Sequence, residues 1–283
     1  MDRARDHLPE DFEVKVELSP PLLEDIQLWP ALDADQRVRL EPTGKRVRAF
    51  LGATAVADST RVMMMFEAGR LPVYYFPVDD VRTDLFKAGS RSDWSPQKGQ
   101  ATYWSVAVDD LEAPDAAWRY LDPMPGCSQL SGYVAFHWRA MSAWFEEDEE
   151  VFGHARDPYH RIDVLDSTRH VRVALGGQTL AETDRPRLLF ETSLPTRYYI
   201  PRLDVRLDLL RHAERRTSCA YKGTTSDYWA AVAEDGSLKE VAWSYRSPSA
   251  ECARIANLVC FFNERVDVHV DGSLLTRPQT PWA

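Results

Sequence analysis

The residues able to do chemistry in this chain fall into a few groups. In RLDVRLDLL, Asp204, Arg206 and Asp208 place two carboxylates and a guanidinium within five positions. On a helix the two aspartates share a face, an arrangement that suits acid–base work or a grip on phosphate. The simpler alternative is an N-cap at Asp204 and an ion pair to Arg206. In TSCAYKG, Cys219 stands three residues before Lys222. A nearby ammonium lowers a thiol pKa and favours the nucleophilic thiolate. On a straight strand, however, positions three apart point to opposite faces, and a cysteine is as readily a small buried apolar group. Lys222 can reach an anionic ligand or pair with Glu191. Tyr198, Tyr228, Trp229, Trp243 and Tyr245 supply rings that stack a planar heterocycle, hold a cation, or simply fill a small core.

Other chemistries have no visible basis. His7, His137, His154, His160, His170, His212 and His269 form no ligand spacing. His154 and His160 fall between the two repeats described below, and a structural or exposed role is expected for them. Cys127, Cys219, Cys252 and Cys260 make no Cys-x-x-Cys pair. No Gly-rich phosphate loop and no Gly-x-Ser-x-Gly elbow occurs. No metal site and no cofactor are expected.

The elements that must position these groups are written twice. Phe66-Glu67 recurs as Phe190-Glu191, an offset of 124 residues. The same offset carries Tyr74-Tyr75-x-Pro77 to Tyr198-Tyr199-x-Pro201, Asp80-Val81-Arg82 to Asp204-Val205-Arg206, and Lys98-Gly99 to Lys222-Gly223. After one inserted residue the offset of 125 carries Tyr103-Trp104 to Tyr228-Trp229, Trp118 to Trp243, Tyr120 to Tyr245 and Phe136 to Phe261. Such register among Trp, Tyr, Pro and Gly marks an internal duplication. The implied organisation is an N-terminal arm over 1–45, a first domain over 46–150 ending in the acidic run Glu146-Glu147-Asp148-Glu149-Glu150, expected to be solvated, a turn-rich linker over 151–167, a second domain over 168–275 and a tail over 276–283.

Within the second copy, HVRVALGGQTLAET reads as a hairpin about Gly176-Gly177. RLLFETS and RYYI continue as strands, and Pro201 ends the run. LDVRLDLL is expected as a short helix capped by Asp204, and SAECARIAN as another capped by Ser249. SDYWAAVAE, KEVAWSYRS, LVCFF and RVDVHVDG are strands. The glycine after Lys222 suggests a bulge or a close backbone approach. Each copy is therefore mainly β, with antiparallel strands and one or two short helices.

With 283 residues, 44% of them hydrophobic and 28% charged, the chain suits two ordinary globular cores. A net charge of −10 argues against nucleic acid as a partner, because phosphate binding needs clustered Lys and Arg. It equally disfavours anionic membrane surfaces. No apolar run is long enough to span a bilayer. The opening MDRARDHLPEDFEV has no secretory-signal core, and with scattered cysteines this gives a cytoplasmic expectation.

The ordered motifs Phe-Glu, Tyr-Tyr-x-Pro, Asp-Val-Arg-x-Asp-Leu, Thr-x-Cys-x-Tyr-Lys-Gly, Tyr-Trp and Ala-Trp-Ser-Tyr resemble the bacterial domain of unknown function numbered four-two-seven, sometimes labelled nucleotidyltransferase-like. The resemblance covers about 46–150 and 168–275. The second copy is similar throughout; the first has Asp93, Ser95 and Gln97 where the second has Thr217, Cys219 and Tyr221. The resemblance implies two tandem β-tent-like domains of small sheets packed across each other, which in some members hold a ligand in an aromatic pocket. Relatives of that fold bind zinc through Cys-x-x-Cys knuckles, which this chain lacks. The Gly-Ser motif and paired carboxylates of nucleotidyltransferases are missing as well.

Three functions follow as expectations. One is a small planar or anionic ligand held in the second copy by Tyr198, Arg206, Lys222, Tyr228, Trp229 and Trp243. Another is an enzyme at the same pocket, with Glu191 or Asp204 as acid or base and Lys222 as electrostatic stabiliser. The last is a structural module without a ligand.

Overall fold

A computed structural model describes residues 38–67, 69–233 and 235–280. Most of the segment read as an arm lies outside them. The protein is mainly β, and every strand pairing is antiparallel.

The duplication holds in the strand order of both larger sheets, and the second copy has a separate two-stranded ribbon besides. In the first copy, a seven-stranded sheet runs in the order Val38–Pro42, Met63–Glu67, Val73–Pro77, Tyr133–Phe136, Leu111–Pro123, Gly99–Val108 and Phe86–Ser95. The second copy repeats it as Ile162–Asp166, Arg187–Glu191, Arg197–Ile200, Val259–Phe261, Leu238–Ser244, Asp227–Val232 and Arg211–Ala213. A four-stranded sheet packs on each, built on Val47–Leu51 in one copy and Val171–Leu175 in the other.

Both faces of each long sheet are covered. In the second copy Tyr198, Ile200, Trp229 and Phe261 face the four-stranded sheet. The alternate residues Tyr199, Tyr228, Trp243, Tyr245 and Phe262 form a separate cluster on the other face. The doubled tyrosine thus feeds two cores, because successive strand residues point to opposite sides.

Several expectations change. The first sheet begins at Val38, inside the stretch assigned to the arm, and the second at Ile162, inside the assigned linker. These are equivalent edge strands with no shared identities, so a search for repeated residues passes over them. The acidic run is not all solvated. Ala143–Glu146 and Glu149–Glu150 form a hairpin, and buried Glu146 accepts from Lys45 Nζ at 2.6 Å and from the Tyr74 hydroxyl.

LDVRLDLL is not one helix. It forms two single 3-10 turns, Arg202–Asp204 and Leu207–Leu209, around Val205, which bridges to Ala181 in extended conformation. A residue held in a β-bridge cannot continue a helix. SAECARIAN gives only the 3-10 segment Ala250–Ile255, and Ser249 bonds the Tyr221 carbonyl instead of capping it.

Candidate functional site

The repeated Lys-Gly dipeptide is the local device from which the site grows. Gly99 and Gly223 have φ of +93° and +85°, where only glycine is unstrained. A Cβ at Gly223 would stand 3.4 Å from the Ser249 amide nitrogen, and one at Gly99 3.1 Å from the Asp122 carbonyl. The turn throws the preceding lysine inward. Lys98 Nζ reaches Glu67 at 2.6 Å and Lys222 Nζ reaches Glu191 at 2.5 Å. This answers why Phe-Glu and Lys-Gly recur together: they are the two halves of one buried pair.

In the first copy Arg70 Nε stands 3.4 Å from Glu67 as a third partner; in the second an imidazole takes that role. His160 Nε2 lies 3.0 Å from the other Glu191 oxygen. The imidazole stacks on Tyr221 at 4.0 Å between centroids, 16° from parallel. The Tyr221 hydroxyl accepts the Asp157 amide at 2.8 Å, and burial pushes its pKa up to about 12. Tyr221 belongs to a two-stranded ribbon, Ser218–Cys219 against Gly223–Thr224. Because the ribbon turns between them, Cys219 and Lys222 line the same cavity, contrary to the straight-strand expectation.

That cavity measures about 550 Å³. Its aromatic side comprises Tyr199, Tyr228, Trp243, Tyr245 and Phe262. Phe262 lies 4.4 Å from Trp243, and the Thr217 and Tyr228 hydroxyls are 2.6 Å apart. Arg197 sits over Trp243 at 5.6 Å and makes a two-pronged pair with Glu264 at 2.7 and 2.8 Å. Burial pulls the Glu264 carboxyl upward, but hydrogen bonds from Arg197, Thr280 and its own backbone prevail and hold it at about 2. Arg70, Leu71 and Pro72 of the first copy complete the rim.

Four of the expected site residues meet here: Glu191, Lys222, Tyr228 and Trp243. Four do not. Tyr198 and Trp229 turn to the opposite face and pack in the core between the sheets. Asp204 accepts from Thr183 Oγ1 at 2.7 Å and from Arg185 at 3.1 Å, tying the 3-10 turn to the short sheet. Arg206 forms an exposed fork with Asp208 at 2.9 and 2.6 Å. Asp80 with Arg61, and Arg82 with Asp84, repeat this arrangement in the first copy. The Asp-Val-Arg-x-Asp motif is therefore a fold signature.

His154 and His160, expected to be structural or exposed, both line the cavity. Sequence reasoning also passed over Tyr221, Arg197 and Phe262. The contrast between copies was the available signal, since the first has Gln97, Val73 and His137 at those places. Among the described residues, no group of three or more His, Cys, Asp or Glu side chains is placed to hold a metal ion. No helix among them is long and apolar enough to cross a membrane.

The family model described as Domain of unknown function (DUF427) matches the chain twice, over residues 39–147 and 163–272. No curated protein matches the chain.

Proposed function

The chain belongs to the Domain of unknown function (DUF427) family in a two-copy form, and from that premise we propose that its second copy binds a small planar molecule. The observation that carries this reading is the cavity of about 550 Å³ in which an aromatic side meets the buried Glu191–Lys222 pair. Its size is that of small-molecule sites, which combine apolar walls with a few convergent polar groups.

The charge pattern narrows the ligand. Each arginine or lysine lining the cavity already faces a carboxylate: Arg70 with Glu67, Arg197 with Glu264, Arg215 with Glu240 and Lys222 with Glu191. An anionic ligand would have to break one of these pairs and leave a carboxylate without its counterion. A planar ring with no net charge keeps them. It would take a hydrogen bond from a spare Lys222 N–H and offer one to Glu191, with the Thr217 and Ser218 hydroxyls beside it.

The enzymatic reading draws on one specific contact, the Glu191 carboxylate against His160 Nε2. A carboxylate that orients an imidazole makes that imidazole a candidate base. Asp204 has no part in this reading, because it is paired with Thr183 and Arg185 and does not line the cavity.

The test is thermal shift and NMR titration with nicotinamide, uracil and adenine. Binding to the wild type that is lost in Lys222→Ala and Trp243→Ala supports the proposal. Failure of all three, or equal binding by both variants, defeats it.

A further inference from the structure

The segment after the last strand lies across the second copy as a strap. The Leu275 amide bonds the Val268 carbonyl at 2.8 Å, and its side chain packs on the core between the sheets. Arg277 pairs with Asp267 at 2.8 Å. Thr280 Oγ1 then donates to Glu264 Oε1 at 2.6 Å. That oxygen is the same one that receives Arg197 Nη2 at 2.7 Å. The Arg197 guanidinium in turn stands over the Trp243 ring at the cavity wall. An unbroken line of contacts therefore runs from the strap, through a buried ion pair, to the aromatic wall.

Two further observations give this line a purpose. First, it exists in one copy only. The duplication offsets place Val73 and Arg139 in the first copy where the second has Arg197 and Glu264. The first copy packs the same sheet face without this ion pair, so the fold does not require it. The Glu264 side chain is fully buried and that of Arg197 nearly so, and buried ion pairs are seldom a net gain in stability over apolar packing. Second, the strap borders a groove of about 260 Å³, between Leu275 and Pro278 on one side and Tyr198 and Asn263 on the other.

We propose that the strap from Leu275 to Thr280 is a positioning element: seated, it locks Glu264 and Arg197 so that Trp243 is held at the orientation the cavity's ligand needs. This deepens the small-molecule reading and rests on it for the ligand. The strap's effect on Trp243 can be read without any ligand. Arg197 and Thr280 are positioning residues here, acting through Trp243.

The test uses full-length protein labelled with nitrogen-15, with the Trp243 indole N–H resonance assigned through Trp243→Phe. Thr280→Val should move that resonance and speed its hydrogen exchange while leaving the Trp229 indole, in the other core, unchanged. Thr280→Ser, which retains the hydroxyl, should restore the wild-type signal. A heterocycle from the titration above that binds the wild type should bind Thr280→Val about three- to tenfold more weakly, the worth of one hydrogen bond. An unchanged Trp243 resonance in Thr280→Val overturns the strap proposal, as does equal ligand affinity. If no heterocycle binds the wild type, the ligand reading falls, while the resonance still decides the strap.

Discussion

Glu191 and Lys222 show how a residue pair acquires meaning from burial. Their side chains are 4% and 12% exposed, so neither charge can be left alone cheaply. Lys222→Met should lower stability by about 3 kcal/mol, because the Glu191 carboxylate then keeps only His160. Adding Glu191→Gln should recover part of that loss, and urea unfolding of the two single variants and the double variant measures the coupling. Glu264 gives a pH signature. Its carboxyl is depressed in the fold to about 2 from an ordinary 4.5. The stability it contributes is therefore full above about pH 4.5 and disappears as pH falls through about 2. Glu264→Gln should be less stable than wild type at neutral pH, and acid titration should bring the two curves together near pH 2. Curves that stay parallel through that window would show that the carboxylate has no such role.

At the scale of elements, the Lys-Gly turn and the Asp-Val-Arg turns divide the labour. Gly223 holds a left-handed conformation against the Ser249 backbone, so Gly223→Ala should cost about 1–2 kcal/mol. It should also displace Lys222 and weaken any ligand bound there, and calorimetry with the titration reads both. Asp204→Ala removes a partly exposed surface pair and should cost about 1 kcal/mol or less. Ligand binding should not change, since that turn is tied to the four-stranded sheet at Thr183 and Ala181 and does not line the cavity. The two turns look equally chemical in one dimension. What separates them is the side of the long sheet on which each lands.

Across the whole molecule, the cavity joins parts that are distant in the chain: the first copy's Arg70–Pro72 loop, the linker histidines, and a wall from the second copy. Cys219 lines it and is the one cysteine of four that is not buried. Burial pushes the thiols of Cys252 and Cys260 up to about 11 and about 12, which makes them poor nucleophiles. Native alkylation with iodoacetamide should therefore modify Cys219 alone, and a bound ligand should slow it. Mass spectrometry finding Cys127, Cys252 or Cys260 modified at a similar rate would contradict this packing. By itself the sequence determined the duplication, the antiparallel β class and most strands, because Trp, Tyr, Pro and Gly in register and period-two alternation are local signals. It also put Glu191, Lys222, Tyr228 and Trp243 among the candidates. Only the tertiary structure decided that Tyr198 and Trp229 belong to the other core. Both faces of the long sheet are buried, so alternation separates the residues into two sets without saying which set borders a cavity. The same holds for His160, Arg197 and the strap at Thr280, whose partners lie far along the chain and meet only when the sheets close.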